Sequence, residues 1–213
     1  MVTQLLMAAL LAYLVGGVPS GLIVGKRLRG IDVRRVGSGK IGATNTLRAL
    51  GWKASVLVFI LDAAKGALAV LLVRWLFLAV FRAPVQPPGA EATAALAAVI
   101  GHNWSPYIRF SGGRGVSTSF GTLLAVWPPM ALVALATFAI VLAITRFASL
   151  ASLAAVGIGA LAIVPGVLSG MFPSVYLAWA ALAVAIVYFQ HRDNILRLLQ
   201  GTERKLGGGA MAG

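Results

Sequence analysis

ASVLVFILDAAKGALAVLLVRWLFLAVF, residues 54–81, reads as a helix that crosses a bilayer. A hydrocarbon core of ~30 Å needs roughly 20 helical residues, so this run can cross with tilt. Its apolar residues are continuous and do not alternate with polar ones, which disfavours a β-barrel. Only helices and closed barrels satisfy their backbone in lipid, so a helix remains. Asp62 and Lys65 lie three residues apart inside it. Ionisable groups in a span are costly, and this spacing predicts a structural ion pair that ties the helix to its surroundings.

Six further apolar runs flank this one, at about residues 3–24, 90–107, 116–127, 130–145, 148–164 and 175–189. The 116–127 run is the short one. As a helix it reaches ~18 Å against a ~30 Å core, so it is either a short helix or half of one kinked at Pro128-Pro129. Charge separates the two readings. With seven spans, 15 of the 18 Lys and Arg residues fall on one side, in segments 26–53, 109–114, 146 and the tail from Arg192. With six, Arg146 and the tail would cross over. The positive-inside rule therefore predicts an all-α polytopic membrane protein with seven transmembrane helices, N-terminus outside and C-terminus cytoplasmic.

Composition agrees. Apolar residues make up 60% and charged residues 11%, with mean hydropathy +0.93. Soluble domains hold roughly 25% charged residues, so there is no room for a separate soluble domain. The expectation is a single integral membrane domain over residues 1–206, with Arg82 to Gly89 as a Pro-rich turn and 207–213 as a flexible tail. The N-terminal run lacks a basic leader and a small-residue cleavage site, and reads as a retained helix. The net charge of +13 orients the helices and attracts lipid headgroups or phosphate. The basic residues sit in short loops tied to the bilayer, which argues against nucleic acid as a partner. No cysteine is present, so thiolate and Cys-metal chemistry are excluded.

The basic segment Lys26 to Lys53 carries eight Lys or Arg and one acid, Asp32, and contains GSGKIGATNTLRALG, residues 37–51. A loop that only joins two spans needs none of this polar detail. Gly37, Gly39 and Gly42 match the dinucleotide fingerprint, but no strand precedes them and no βαβ unit is possible, so NAD and FAD are rejected. What survives is a backbone that approaches a phosphate closely, beside Ser38, Thr44, Asn45 and Arg48. Thr44 and Arg48 share a face on a helical turn. Gly112-Gly113-Arg114-Gly115 precedes an apolar helix, whose N-terminus attracts anions. It is not a Walker A loop. His102 reads as an interfacial hydrogen-bonding group. His191 and Asn194 share a helical face at a membrane boundary and could bind an anion or move a proton. Arg197 reads as an interfacial anchor. In this topology all the polar chemistry gathers at one face, which disfavours a transporter, whose polar groups should line a route through the bilayer.

Other chemistries are missing. Five acids cannot build the aspartate-rich two-metal site of alcohol phosphatidyltransferases. His102 has no Asp five residues on, where Tyr107 stands, so the H-x4-D acyltransferase signature is absent, and no nucleophile elbow appears.

GSGKIGATNTLRALG, GHNWSPYIRFSGGRGVSTSFG, RFASLAS and HRDNILRLLQGTE resemble, in order and spacing, the signature regions of the acyl-phosphate:glycerol-3-phosphate acyltransferases, the PlsY family of bacteria. The resemblance runs from Tyr13 to Glu203. It implies a seven-helix inner-membrane enzyme, with its site facing the cytoplasm, that performs the first acylation of phospholipid synthesis. A fatty acyl group would pass from acyl phosphate to the 1-hydroxyl of glycerol 3-phosphate, giving lysophosphatidate and phosphate. Membrane lipid would be its other partner, and no cofactor or metal is implied. By the same resemblance Ser38, Arg48, Ser149, His191 and Asn194 are the catalytic candidates. Gly37, Gly39, Lys40, Gly42, Thr44, Asn45, His102, Gly112, Gly113, Arg114 and Gly115 are the candidate phosphate-binding set. Two positions depart from the family pattern. Lys40 stands where GSGN is common, and Arg114 where GGKG is common. Arg114 keeps the charge and adds bidentate geometry, but it cannot give up a proton. Acyl-CoA as donor would leave nearly the same signature and stays open as an alternative, beside an organophosphate transporter.

Overall fold

The computed structural model describes residues 1–83 and 87–207. Residues 84–86 of the Pro-rich turn, and 208–213 of the expected tail, lie outside them. Every apolar run becomes a helix. In chain order these are α1 (Val2–Gly17), α2 (Ser20–Arg29), α3 (Ala43–Leu50), α4 (Trp52–Trp75), α5 (Pro88–Asn103) and α6 (Val116–Val126). They continue as α7 (Pro128–Thr145), α8 (Ala148–Leu161), α9 (Ile163–Leu168), α10 (Val175–Gln190) and α11 (Arg192–Leu199). Val2–Arg29, Trp52–Val80, Pro128–Thr145 and Ala148–Leu168 are long and apolar enough to cross a membrane, and the bent pair α10–α11 makes a fifth candidate.

The helices pack through small residues. Gly16 of α1 lies against the backbone of Ala98 in α5, and Gly101 of α5 against the backbone of Tyr13 in α1. Ala8, Ala12, Ala94 and Ala98 fill the same seam and are fully buried. With no hydrophobic drive between helices in lipid, such close approach lets van der Waals contact hold them. α4 sits centrally, touching α1, α3, α5 and α6, while α8 packs on α7 and α10. Its outer face, with Leu57, Ile60, Leu68 and Leu71, is exposed and apolar, as lipid requires.

Three expectations about the elements are corrected. The first run is not one helix. It breaks at Val18-Pro19, because Pro19 has no N–H to donate and restricts the residue before it. The segment 26–53 is not a loop for most of its length. α2 runs to Arg29, a short 3-10 turn covers Val33–Arg35, and α3 follows from Ala43. Third, His191 and Asn194 do not share one straight helix, because the chain bends by 66° between α10 and α11, at His191. The short fourth run settles as its own helix. α6 ends at Val126, and α7 starts at Pro128, where a proline is tolerated because its missing N–H would be unpaired anyway.

Candidate active site

Asn45 organises the first motif. Its Oδ1 accepts the Ser38 N–H at 2.9 Å, and its Nδ2 donates to the carbonyls of Val33, Val36 and Lys40 at 2.8, 3.0 and 2.8 Å. One buried amide thus staples residues 33–40 onto the start of α3. Gly37, at φ 61°, lies so close to Asn45 Oδ1 that a Cβ would collide with it. The Asn45 amide is therefore spent on the loop, where it holds Ser38 and Lys40 in place.

The second motif rests on a charged cluster. Lys65 Nζ contacts Asp62 Oδ1 at 2.8 Å, the carbonyl of Val18 at 2.7 Å and His102 Nδ1 at 2.9 Å. The contact to Asp62 is an ion pair outside hydrogen-bond geometry, and neither Asp62 oxygen has a hydrogen-bond partner. Because an ammonium only donates, His102 Nδ1 is the acceptor and Nε2 carries the proton. The carbonyl that Lys65 takes at Val18 is one freed by the break at Pro19. Gly113 presses on the His102 ring and donates its N–H to the His102 carbonyl at 3.1 Å, and Gly112 packs on the same carbonyl. These two glycines are needed for the loop to lie on α5. His102 is buried, so it is a support for the loop more than an interfacial group.

The two motifs and α10 meet at a half-open cavity, with about 1200 Å³ of empty space when the adjoining solvent is included. Its polar end is lined by Ser38, Lys40, Gly42, Thr44, Asn45, Asp62, His102, Arg114, Gly115 and His191, with Ser117 and Ser119 at the start of α6. Its deeper walls are apolar, from Phe59, Phe120, Leu123, Phe138, Ala155, Val156, Gly159, Ile163, Trp179 and Ala180.

Positive charge is concentrated at the polar end. Burial draws Arg114 down from the usual guanidinium range, and Arg197 and Arg48 add repulsion. Its Nε is buried without a partner. Burial likewise lowers Lys40, with repulsion from Arg114 and Arg192. Cations held together this way, at the N-terminus of α6, form a site that an anion would relieve.

His191 stands at the bend after α10. Nδ1 lies 2.8 Å from the Val187 carbonyl, which can only accept, so Nδ1 carries the proton and Nε2 is bare. Burial, assisted by the charge of Arg114, draws the imidazole down to about 4 despite that hydrogen bond. At neutral pH it is an acceptor and a weak base.

Ser149 and Asn194 are not on the cavity wall. Ser149 Oγ donates to Glu203 Oε1 at 2.9 Å, Asn194 Nδ2 donates to the same oxygen at 2.7 Å, and Arg197 Nε donates to Oε2 at 2.7 Å. Arg197 is thus an ion-pair partner in addition to any anchoring. Burial pushes Glu203 up, but the hydrogen bonds from Asn194, Arg197 and Ser149 outweigh it and hold the carboxyl below its usual range. Arg48 is exposed, with its stem beside Gly37. Gly37, Gly39, Gly112 and Gly113 lie behind the wall. The sequence reading gave Glu203 no role, although it is one of only five acids in a chain of net charge +13. It also confined polar chemistry to one face. The structure adds a second polar cluster, where Arg74 Nε donates to Glu91 at 2.6 Å and Tyr176 donates to Glu91 at 2.7 Å. Among the described residues no group of three or more His, Cys, Asp or Glu side chains is placed to hold a metal.

The family model for "Glycerol-3-phosphate acyltransferase" matches residues 6–201. A glycerol-3-phosphate acyltransferase of Thermus thermophilus is 42% identical over 198 residues, 93% of each chain. One of Clostridioides difficile is 42% identical over 204 residues, covering 93% of this chain and 94% of the relative. Among solved structures, PlsY, an integral membrane glycerol 3-phosphate acyltransferase, is similar in two forms. The glycerol 3-phosphate form has TM-score 0.81 and 35% identity, and the lysophosphatidic acid form has TM-score 0.80 and 34% identity, each covering 94% of both chains. With its motif loops, its basic cavity and its helical frame accounted for, this multi-pass membrane chain belongs to the glycerol-3-phosphate acyltransferase family of the PlsY type.

Proposed function

We propose that this chain moves a fatty acyl group from acyl phosphate to the 1-hydroxyl of glycerol 3-phosphate, releasing lysophosphatidate and inorganic phosphate. The observation that carries the reading is the cavity itself. Unpaired positive charge at Lys40 and Arg114 stands at the mouth of a long apolar recess. Both substrates bear phosphate and one bears an alkyl chain. Relatives with the same fold are described in a glycerol 3-phosphate form and a lysophosphatidic acid form, which supports the same pairing here.

In this mechanism Arg114, Lys40 and Arg48, with N–H groups at the start of α6, hold the phosphates and stabilise charge on the carbonyl oxygen. Ser38, fixed by Asn45, adds a hydroxyl at the same point. The glycerol oxygen attacks the acyl carbon, the bond from that carbon to the phosphate oxygen breaks, and phosphate leaves. An acyl phosphate is already activated, so no acyl-enzyme is required. His191 Nε2 accepts a hydrogen bond from the attacking hydroxyl and orients it, and the proton ends on phosphate. Ser149 and Asn194 act through Glu203, keeping α8 and α11 together beside the charges. Residues 1–206 form one domain with seven crossings, the N-terminus outside and the C-terminus in the cytoplasm. That topology turns the site toward the cytoplasm from the bacterial inner membrane, with no cofactor and no nucleic-acid partner.

Purified protein given labelled glycerol 3-phosphate with acyl phosphate, or separately with acyl-CoA, tests the reading. Product with acyl phosphate, lost in Ser38→Ala and Arg48→Ala, is expected. Product only with acyl-CoA overturns the donor assignment. Uptake of glycerol 3-phosphate into vesicles without acylation would point instead to a transporter.

A further inference from the structure

The apolar end of the cavity is bounded by large side chains. A much smaller gap lies behind them, and Leu123, Ile163 and Trp179 line both. These three side chains are a partition, and Trp179 is its largest member. It is 4% exposed, and its indole N–H has no partner.

The partition is braced. Trp127, Phe172, Tyr176 and Trp179 form a chain of tilted edge contacts, with successive ring centroids 4.5, 5.8 and 6.0 Å apart. Tyr176 is fixed at its hydroxyl by Glu91, which is itself paired with Arg74. Trp179 therefore backs onto a rigid stack. No step of the proposed chemistry uses this second polar cluster, so bracing the stack gives it a purpose.

Depth along α10 gives the scale. Trp179 precedes His191 by twelve residues, roughly 18 Å at 1.5 Å per residue. That is close to one leaflet of a ~30 Å hydrocarbon core. A chain whose carbonyl sits at the polar end would run down the apolar walls and end at Trp179.

We propose that Trp179, braced by the Phe172–Tyr176 stack and the Glu91–Arg74 pair, is the end-stop that sets the longest acyl chain this enzyme accepts. This rests on the reading of the cavity as an acyl-phosphate site. Truncating the wall frees the volume of the lost side chain for more methylenes. A chain that ends against the wall in wild type then fits without a clash, which favours the longer substrate.

The test is kcat/KM for saturated acyl phosphates of graded length, with purified wild type, Trp179→Ala, Ile163→Ala and the reverse variant Ala180→Leu. Gel filtration and thermal unfolding in detergent establish that each is folded. The two opening variants should shift the optimum to chains longer by one or more methylenes. Ala180→Leu should shift it to shorter ones. An active wild type whose length profile is unmoved by every folded variant overturns the end-stop and leaves the acyltransferase reading standing. A wild type inactive with acyl phosphate of any length overturns both.

Discussion

At the scale of the residue, the site depends on unpaired positive charge and on one fixed tautomer. Arg114 has a buried Nε without a partner, so its full worth appears when an anion arrives. Arg114→Ala should lower kcat/KM by about 10²–10³, the usual effect of losing one donor to a developing oxyanion, and Arg114→Lys should recover part of it. Steady-state kinetics with labelled glycerol 3-phosphate read this directly. Inorganic phosphate, or glycerol 3-phosphate alone, should raise the melting temperature of wild type and raise it less in Arg114→Ala, because a ligand that binds only the folded state stabilises it. His191 gives a pH prediction. Its folded value near 4 lies below the unfolded 6.5. Below pH 6.5 the unfolded chain takes up the proton first, so stability falls between about pH 6.5 and pH 4 and is complete above that window. The loss is roughly 3 kcal/mol at about 1.4 kcal/mol per pH unit of separation. Glu203 adds a loss of the same sign as pH falls through its lowered value, so His191→Asn is the comparison that isolates the imidazole. Melting curves of the two proteins should converge as pH drops toward 4.

At the scale of the element, a few polar residues decide how helices meet. Lys65 joins α4 to α5 through His102 and to the break between α1 and α2 through Val18. Removing it leaves Asp62 charged and buried. Lys65→Met should cost about 3–5 kcal/mol, and Asp62→Asn combined with Lys65→Met should restore much of that, since removing both charges avoids the stranded one. Denaturation of the single and double variants in detergent checks it. The helices themselves were legible in the sequence, because long continuous apolar runs have one solution in lipid. The ion pair at 62 and 65 was legible from its spacing. The joint at Val18 was less so. Pro19 marks it, but that the freed carbonyl would be taken by a lysine 47 residues away depends on packing. Glu203 was illegible for the same reason. Asn194 and Arg197 are only nine and six residues from it, but its third partner, Ser149, is 54 residues distant, and whether the carboxyl turns back onto α8 depends on packing.

At the scale of the whole molecule, the asymmetry of charge sets the orientation proposed for the site. Fifteen of 18 Lys and Arg lie on one side only if all seven apolar runs cross. A reporter fused after Lys205 should then be cytoplasmic, and one placed before Val2 should face the opposite side. A reporter after Lys205 that proved accessible only from outside would overturn the topology. The small-residue seam between α1 and α5 and the close contact of α4 with α6 hold the frame in which the first motif, the glycine loop and α10 converge.

The sequence by itself determined the class of molecule, its motifs and the residues to suspect. Hydropathy, charge placement and local spacing are properties of neighbouring residues, and they do not depend on how the helices pack. The tertiary structure alone decided the division of labour among those residues. Gly112, Gly113, Ser149 and Asn194 are held by hydrogen bonds and close contacts away from the cavity, Asn45 lines it with its amide spent on the loop, and Lys40, Arg114 and His191 line it with charged or bare polar groups. It alone showed the partition at Trp179. A buried side chain has its role fixed by what lies against it, and those neighbours come from distant parts of the chain.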